Sequence, residues 1–216
     1  AAVPELWVSQ LFVPSEVQWA AGGATVKLQS SLAADRCDTL HVTIELTALS
    51  SGGGACFGAG GCALSVRLPS WADGAASAVE LHHDGSVERL APDGDGAMEV
   101  GRFVRIARTW TAGDAVRLRL GIYAYLEPLN DWRVRYAASY ALVYGPLVMV
   151  ALTQADEHSL KAAPTRVREW VNVSKCAPSW AELRLSAMGG DGNGFEMIPL
   201  GAAVAERYTA HLSIEE

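Results

Sequence analysis

The chain has 216 residues, of which 50% are hydrophobic and 19% are charged, and this composition suits one or two domains with a sizeable core. The formal net charge of −7 argues against nucleic acid or an anionic membrane as a partner, because both need a face rich in Lys and Arg. The sequence has no apolar run of about 18 residues, so it predicts no membrane insertion through a spanning helix.

The first residues, AAVPELWVSQ (1–10), contain no basic segment followed by an apolar core, and they therefore do not resemble a signal peptide. A predicted strand begins almost at once, which is typical of a fragment or a processed chain. These residues leave the localisation unknown. The triplet NVS at Asn172 fits the pattern of an N-glycosylation site and slightly favours a secretory or extracellular location.

Alternation of apolar and polar residues predicts short, half-buried strands along the whole chain. In chain order they are TVKLQ (25–29), HVTIEL (41–46), ALSVRLP (63–69), AVELHHDGSVERL (78–90), RFVRIARTW (102–110), AELRLSAM (181–188) and RYTAHLSI (207–214). The fourth of these predicts a hairpin with Asp84 and Gly85 at its tip. Long helical periodicity is absent, and the best helical candidate is a turn or two in GAAVAERY (201–208).

Glycine and proline interrupt these strands at short intervals, as they do in β-sandwiches and barrels. The sequence therefore predicts an all-β fold of two β-sandwich, jelly-roll-like units with mostly antiparallel strands. A loop near residues 121–130 suggests a first domain at 1–125 and a second, smaller one at 126–216. Two glycine-rich segments, 50–61 and 92–99, are expected to be mobile surface loops.

The stretch RTWTAGDAVRLRL (108–120) predicts two short strands joined by a turn. Trp110 is expected to fill the core, and Gly113 and Asp114 are expected to make the turn. Gly145 and Pro146 are expected to end another strand. We therefore interpret the 108–120 segment as a scaffold hairpin without chemistry of its own.

The four cysteines are Cys37, Cys56, Cys62 and Cys176. Cys56 and Cys62 flank the segment FGAGG, and they either close a disulfide or remain free thiols, depending on the compartment. A zinc site is disfavoured, because the spacing is loose and no histidine lies near either cysteine.

No residue of the chain is predicted to be catalytic or to bind a metal. The five histidines, His41, His82, His83, His158 and His211, are most simply explained as solvated side chains. His82 and His83 are neighbours in a strand and point to opposite faces, so one ion rarely binds both. The acidic pairs Asp93/Asp95, Asp156/Glu157 and Glu215/Glu216 lie in loops, where the sequence cannot set the separation that glycoside hydrolysis needs.

Tryptophan is abundant, with seven residues, and its ring stacks well on sugars, although most tryptophans in a compact domain are buried. Trp170 is the first candidate for sugar stacking, because strand alternation places it with Arg168 and Asn172. Trp132 is the second candidate.

Several motifs then occur in one order: LWVSQLFVPSEVQW (6–19), SVRLPSWA (65–72) with Trp71, GRFVRIARTWTAGDAVRLRL (101–120), DWRVRYAASYALVYGPLVMVAL (131–152) and ERYTAHL (206–212). Together they resemble the C-terminal β region of a glycoside hydrolase family that is typified by β-L-arabinofuranosidases and was formerly a domain of unknown function. The combination is specific, although each motif alone is weak. The glycine-rich loops depart from the family pattern.

The resemblance implies an (α/α)6 catalytic barrel followed by β-sandwich domains. In that family a zinc-bound cysteine nucleophile, a ligating glutamate and further cysteines lie in the barrel. No residue here matches the adjacent cysteines that precede the β region, so no cofactor is expected in this chain, and zinc is expected only in a barrel that the chain lacks.

Three hypotheses follow. In the first, the chain is a non-catalytic β region that packs against and stabilises a catalytic barrel, its expected partner. In the second, it is a carbohydrate-binding module that binds glycans through exposed tryptophans. In the third, it is a structural subunit of a larger assembly that has lost the enzyme and contacts other protein chains.

Overall fold

The computed structural model describes residues 3–9, 13–49, 54–90, 98–153 and 159–215. Contacts divide the chain into two compact units. Unit 1 comprises Ala1–Ser31 and Thr39–Gly121, and unit 2 comprises Leu32–Asp38 and Ile122–Glu216. No helix of the described residues has the length and hydropathy needed to cross a membrane.

The described part of unit 1 is built from strands that form a three-stranded sheet and a six-stranded sheet. The strands are β1 (Glu5–Val8), β2 (Ser15–Trp19), β3 (Ala24–Leu32), β4 (Thr39–Ala48), β5 (Cys62–Arg67), β6 (Asp73–His83), β7 (Ser86–Leu90), β8 (Phe103–Arg108) and β9 (Ala115–Gly121). The smaller sheet has the order β1-β5-β8, and the larger has the order β2-β3-β4-β9-β6-β7. β1 pairs with β5 in parallel, whereas β5 pairs with β8 antiparallel.

Each sheet of unit 1 buries one apolar face, as the alternation predicts. In the larger sheet, Val42 lies opposite Leu118, and Ile44 lies opposite Val116; all four side chains are buried. In the smaller sheet, the buried side chains include Leu64, Val66 and Ile106. A sheet with one apolar face needs a second layer to cover that face, so these two faces supply the core of the unit.

The predicted hairpin at 108–120 is wrong. β8 pairs with β5 in the smaller sheet, and β9 pairs with β4 and β6 in the larger sheet, so the Thr111–Asp114 turn carries the chain from one sheet to the other. The alternation identified both strands correctly. It does not specify the partner of a strand, because the same pattern fits any neighbour that buries the same face.

The described part of unit 2 is organised around a nine-stranded sheet. Its strands are β10 (Ala124–Pro128), β11 (Ser139–Tyr144), β12 (Leu147–Leu152), β13 (Ser159–Lys161), β14 (Val171–Lys175), β15 (Arg184–Met188), β16 (Gly194–Pro199), β17 (Tyr208–Thr209) and β18 (Leu212–Glu215). The main order is β13-β18-β11-β12-β16-β15-β14, with β10 paired to β11 and β17 paired to β12. Most pairs in both units are antiparallel, and the predicted all-β class is confirmed.

Helix is scarce in the described residues. α1 (Val167–Trp170) is a single turn, and the 3-10 segments are Ala55–Phe57, Val134–Tyr136, Pro164–Arg166, Trp180–Glu182 and Leu200–Ala202. The predicted helix at 201–208 is therefore reduced to one 3-10 turn. The predicted strand at 207–214 is divided between β17 and β18.

Two of the turns that connect paired strands were predicted from the sequence. Asp84 and Gly85 join β6 to β7 with φ values of 46° and 75°, which confirms that predicted hairpin. Gly145 and Pro146 join β11 to β12, and Gly145 has a φ of 56°.

Trp71 lies half-buried in the turn after β5, where the backbone N–H of Ala72 donates to the carbonyl of Pro69.

Candidate functional site

A buried carboxylate in unit 1 is the most highly connected polar group around the β8–β9 turn. The side chain of Asp114 is only 1% exposed. Its Oδ1 accepts hydrogen bonds from Nδ1 of His83 at 2.6 Å and from the hydroxyl of Thr111 at 2.9 Å. Its Oδ2 accepts from the backbone N–H of Thr111 at 3.0 Å and lies 3.7 Å from Nη2 of Arg108.

Burial alone raises the pKa of the Asp114 carboxyl, but the hydrogen bonds from His83 and Thr111, with the charge of Arg108, outweigh it and lower the pKa below its ordinary value. Both carboxylate oxygens are occupied by donors of the protein itself. The arrangement therefore fixes the turn and anchors it to β6, and it differs from a carboxylate held ready to exchange a proton with a substrate. Asp114 was predicted as a turn residue, but its hydrogen bond to His83 was not predicted. The interpretation of His83 as a simply solvated side chain was wrong, because its imidazole bonds to Asp114.

Trp110 lies next to this cluster and is 1% exposed, as expected for a core residue. Its indole N–H donates to the carbonyl of Cys62 at 3.3 Å, and its backbone N–H donates to the carbonyl of Cys56 at 2.8 Å. Cys56 and Cys62 form a disulfide, and both residues are fully buried. Trp110 thereby holds both ends of this small disulfide loop.

The glycine-rich segment 50–61 was expected to be a mobile surface loop, and residues 50–53 lie outside the described residues. The described part contradicts that expectation, because the N–H of Cys56 donates to the carbonyl of Gly22 at 3.0 Å. Gly54 and Gly23 approach so closely that a Cβ on either one would collide with the backbone of the other. Residues 92–97 of the second glycine-rich loop also lie outside the described residues.

The remaining two cysteines, Cys37 and Cys176, form a disulfide within unit 2 across 139 positions of sequence. The hydroxyl of Tyr144 donates to the carbonyl of Cys37 at 3.0 Å. Burial, with the negative charge of Asp38 nearby, raises the pKa of Tyr144 to about 12 against the opposing charge of Arg36. All four cysteines of the chain are thus oxidised. None of them can act as a thiolate nucleophile or metal ligand in this state.

Trp170 is not exposed, so its prediction as the leading sugar-stacking residue was wrong. It is 7% exposed, and its indole N–H donates to the carbonyl of Ala163 at 2.9 Å. The prediction assumed strand alternation, but residues 167–170 form α1, and a helical turn places Val167 and Trp170 on one buried face. Trp170 lines a surface cleft of about 810 Å³ with Arg166, Glu169 and others, yet it presents little ring surface there.

Trp132, in contrast to the buried Trp170, is 92% exposed. It lies in the loop between β10 and β11, and Val134 beside it is almost as exposed. Arg133 donates three hydrogen bonds to the Asp131 carboxylate, one from its backbone N–H and two from its guanidinium. The same guanidinium lies 4.5 Å from the ring centre of Tyr136. The loop is therefore braced from within while its apolar tip stays in solvent.

An exposed aromatic pair, which the sequence reasoning did not single out, lies on the smaller sheet of unit 1. Trp7 on β1 is 59% exposed and Phe103 on β8 is 38% exposed, and their ring centres lie 4.6 Å apart at 70°. Ser65 lies on β5 between these strands and is almost fully buried. We call Trp7, Phe103, Glu5, Arg67 and Arg105 the Trp7–Phe103 surface. The sequence signal that could have identified this surface is a tryptophan at an outward-facing position of a strand.

The other candidates are not brought together into a catalytic or metal centre within the described residues. Asn172 is exposed on β14, as a modification site requires. His82 contacts Glu80 in its own strand, and His41 and His211 are exposed. His158 and the acidic residues Asp93, Asp95, Asp156, Glu157 and Glu216 lie outside the described residues. Across the described ranges, no group of three or more His, Cys, Asp or Glu side chains could hold a metal ion.

The sequence matches a protein-family model over residues 6–122, more than half of the chain. That model describes the middle domain of GH127 β-L-arabinofuranosidases. The chain belongs to the GH127 β-L-arabinofuranosidase family. The resemblance drawn from the LPSW and RTWTAGD motifs is confirmed, and the match assigns unit 1 and the start of unit 2 to the middle domain of such enzymes.

Solved GH127 structures share the fold of this family member over nearly its whole length. A β-arabinofuranosidase named BT3674 gives a TM-score of 0.61 at 15% identity over 99% of this chain and 35% of its own. A β-L-arabinofuranosidase from Geobacillus stearothermophilus T6 gives a TM-score of 0.57 at 17% identity, over 100% of this chain and 34% of its own. A protein described as a glycoside hydrolase gives a TM-score of 0.57 at 14% identity, over 93% of this chain and 34% of its own. No curated protein matches the sequence.

The chain therefore spans about a third of the length of these solved structures. It corresponds to the β-rich region of this family that contains the middle domain.

Proposed function

We propose that this chain is the non-catalytic β region of a GH127-type glycoside hydrolase and that it packs against and stabilises the catalytic barrel of that enzyme. The observation that carries the proposal is the match to the family's middle domain, in a chain that spans only a third of the solved GH127 structures. The substrates of the whole enzyme would be arabinose-containing glycans.

The chemistry of the described residues supports a scaffold role. A cysteine nucleophile or a thiolate metal ligand needs a reduced sulfur, and all four cysteines are disulfide-bonded. The buried carboxylate of Asp114 has both oxygens occupied by protein donors. Both features contribute to a rigid fold, which is what a supporting domain supplies to its neighbour.

The experiment compares hydrolysis of a nitrophenyl L-arabinofuranoside by the 216-residue chain and by a polypeptide that joins it to a catalytic part. We expect no turnover by the chain alone, and turnover by the joined polypeptide that survives to a higher temperature than turnover by the catalytic part alone. Robust turnover by the chain alone would contradict the proposal, and so would a catalytic part whose stability is unaffected by this region.

A second candidate function, glycan binding, is favoured by the exposure of Trp132. An exposed indole face is a common stacking surface for sugars. Titration calorimetry with arabino-oligosaccharides should then give heat that Trp132→Ala abolishes. Val204→Ala is the matched control, because Val204 is equally exposed in the same unit. Absence of heat for the parent chain would reject glycan binding and leave the scaffold proposal untouched.

A further inference from the structure

We propose that the Trp7–Phe103 surface is the docking surface through which this chain contacts the catalytic part of the same GH127-type polypeptide. The inference rests on the proposed function and names the surface that performs it. Its test is therefore designed to separate failure of the surface from failure of the function.

The register of the smaller sheet places this aromatic pair on the outward face. Trp7 lies opposite Ser65, which lies opposite Arg105, and Arg67 lies opposite Phe103. Adjacent residues alternate between faces, so Leu64 and Val66 point the other way, into the core. Trp7 and Phe103 come from the two outer strands, and their rings meet above the middle strand, which explains why Ser65 is buried.

Such a pair is costly to leave in water. A solvated sheet face normally carries polar side chains, and burial of apolar surface is stabilising. More than half of the Trp7 surface and more than a third of the Phe103 surface remain exposed. Tryptophan and arginine are also the residues most enriched among those that dominate binding energy at protein interfaces.

Polar groups border the aromatic pair as they border the apolar centre of an interface. The Ser65 hydroxyl donates to Oε1 of Glu5 at 2.5 Å, and Nε of Arg105 lies 3.3 Å from the same oxygen. With Arg67, the surface carries two arginines against one glutamate, in a chain whose net charge is −7. It therefore fits a partner surface with an apolar centre and acidic groups beside it.

The position of the surface in the chain supports this choice of occupant. The family match begins at residue 6, beside Trp7, and describes a middle domain. In a polypeptide where this segment is a middle domain, the part that precedes it leads directly into β1. That part is then tethered next to the surface at an effective concentration on the order of millimolar. The solved GH127 chains contain about two thirds of their length beyond the region matched here, which is ample to cover the sheet.

The ring geometry favours a protein partner over a sugar. A sugar stacks on an open ring face, and an interplanar angle of 70° means that the two rings do not form a common flat platform. An apolar knob of a protein can pack into the angle between them. Glycan binding at this surface is thus a separate outcome of the test.

The experiment is hydroxyl-radical footprinting of Trp7, read by peptide mass spectrometry, in the 216-residue chain and in the full polypeptide with its catalytic part. We expect at least about tenfold slower oxidation of Trp7 in the full polypeptide. Met188, which is half exposed in unit 2, serves as the reference for overall radical dose. Equal oxidation rates of Trp7 in the two proteins would overturn the proposal.

A double variant, Trp7→Ser with Phe103→Ser, tests the energetic role in the full polypeptide. We expect its arabinofuranosidase activity to be lost at a lower temperature than that of the parent, whereas the matched variant Val17→Ser with Val87→Ser, two exposed residues of the other sheet, leaves it unchanged. An unshifted inactivation temperature in a correctly folded double variant counts against the surface. The wild-type footprint remains decisive if the double variant does not fold.

The outcomes separate the two proposals. A full polypeptide without hydrolase activity contradicts the proposed function, whatever Trp7 does. An active polypeptide in which Trp7 is as reactive as in the isolated chain contradicts only the surface. Protection of Trp7 in the isolated chain by arabino-oligosaccharides would assign the surface to glycans and overturn the docking proposal.

Discussion

His83 and Asp114 lie 31 positions apart in the sequence, and Nδ1 of the His83 imidazole lies 2.6 Å from Oδ1 of the Asp114 carboxylate. The pair joins the end of β6 to the turn between β8 and β9. It does so at the point where the chain passes from the smaller sheet of unit 1 to the larger one. The connection between the sheets is thus held by a charged hydrogen bond as well as by the apolar core.

Replacement of Asp114 by asparagine should destabilise unit 1 by about 3 kcal/mol, because the donors of His83 and Thr111 lose a charged acceptor that is itself buried, and one of them faces an amide N–H₂. Urea unfolding followed by tryptophan fluorescence measures this change. Asp84→Asn is the matched control, since Asp84 is next to His83 but exposed at a position of positive φ that asparagine tolerates. We expect the control to change the unfolding free energy by less than about 0.5 kcal/mol. An equal loss in both variants would show that the buried network has no special role.

The lowered pKa of Asp114 gives this contribution a defined pH dependence. The pKa of this carboxyl is lower in the folded state than in the unfolded state, where it is about 3.9. Asp114 therefore stabilises the fold fully at pH values above the unfolded pKa, and this stabilisation is lost as the pH falls through the folded pKa. The difference in unfolding free energy between the parent and Asp114→Asn should therefore shrink as the pH is lowered from 5 towards 2. Urea titrations of both proteins across this range provide the measurement. A difference that stays constant would contradict the assignment.

The two disulfides should differ in their contribution to stability, because they close loops of very different length. In the chain-entropy model, a bridge across 139 positions contributes about 5 kcal/mol and a bridge across 6 positions about 2 kcal/mol. The double variant Cys37→Ala/Cys176→Ala should thus lower the melting temperature of the chain by more than Cys56→Ala/Cys62→Ala does. Calorimetry of the parent and of both double variants measures the two shifts. The reverse order would indicate that native packing around the short bridge outweighs loop entropy.

Asn172 should carry an N-linked glycan when the chain is produced through a eukaryotic secretory pathway. Asn172 and Ser174 are both exposed on β14, and the two disulfides are the kind that form in the same oxidising compartment. Treatment with a peptide N-glycosidase should reduce the mass of the parent chain and leave Asn172→Gln unaffected. Ser174→Thr retains the acceptor pattern and should remain modified. A parent chain of unmodified mass from such a host would reject the site.

Local patterns predicted most strands of unit 1 and fewer of those of unit 2, and apart from the β6–β7 hairpin they did not predict how the strands pair. The alternation in HVTIEL and in AVRLRL reflects the burial of Val42 and Leu118, which face each other in neighbouring strands. The same alternation could not show that β8 and β9 belong to different sheets, because a strand pattern records which face is buried and not what lies beside it.

The site residues that the sequence missed depend on contacts between distant positions. Four cysteines allow three pairings, and nothing in their spacing selects Cys37 with Cys176. The role of His83 becomes visible only with Asp114 in place. Trp170 was placed on the wrong face because a single helical turn inside a β-rich chain leaves too few residues to show helical periodicity.

Unit 2 is assembled from two separate stretches of chain, since Leu32–Asp38 belongs to it along with Ile122–Glu216. A gene segment that encodes only the residues after 122 would lack Cys37, the partner of Cys176, and the carbonyl that accepts from Tyr144. A segment that ends at residue 122 would retain the seven residues Leu32–Asp38 but lack the rest of unit 2, against which they pack. Recombination at the boundary of the family match would damage both products, so the two units are expected to be inherited, exchanged and expressed together.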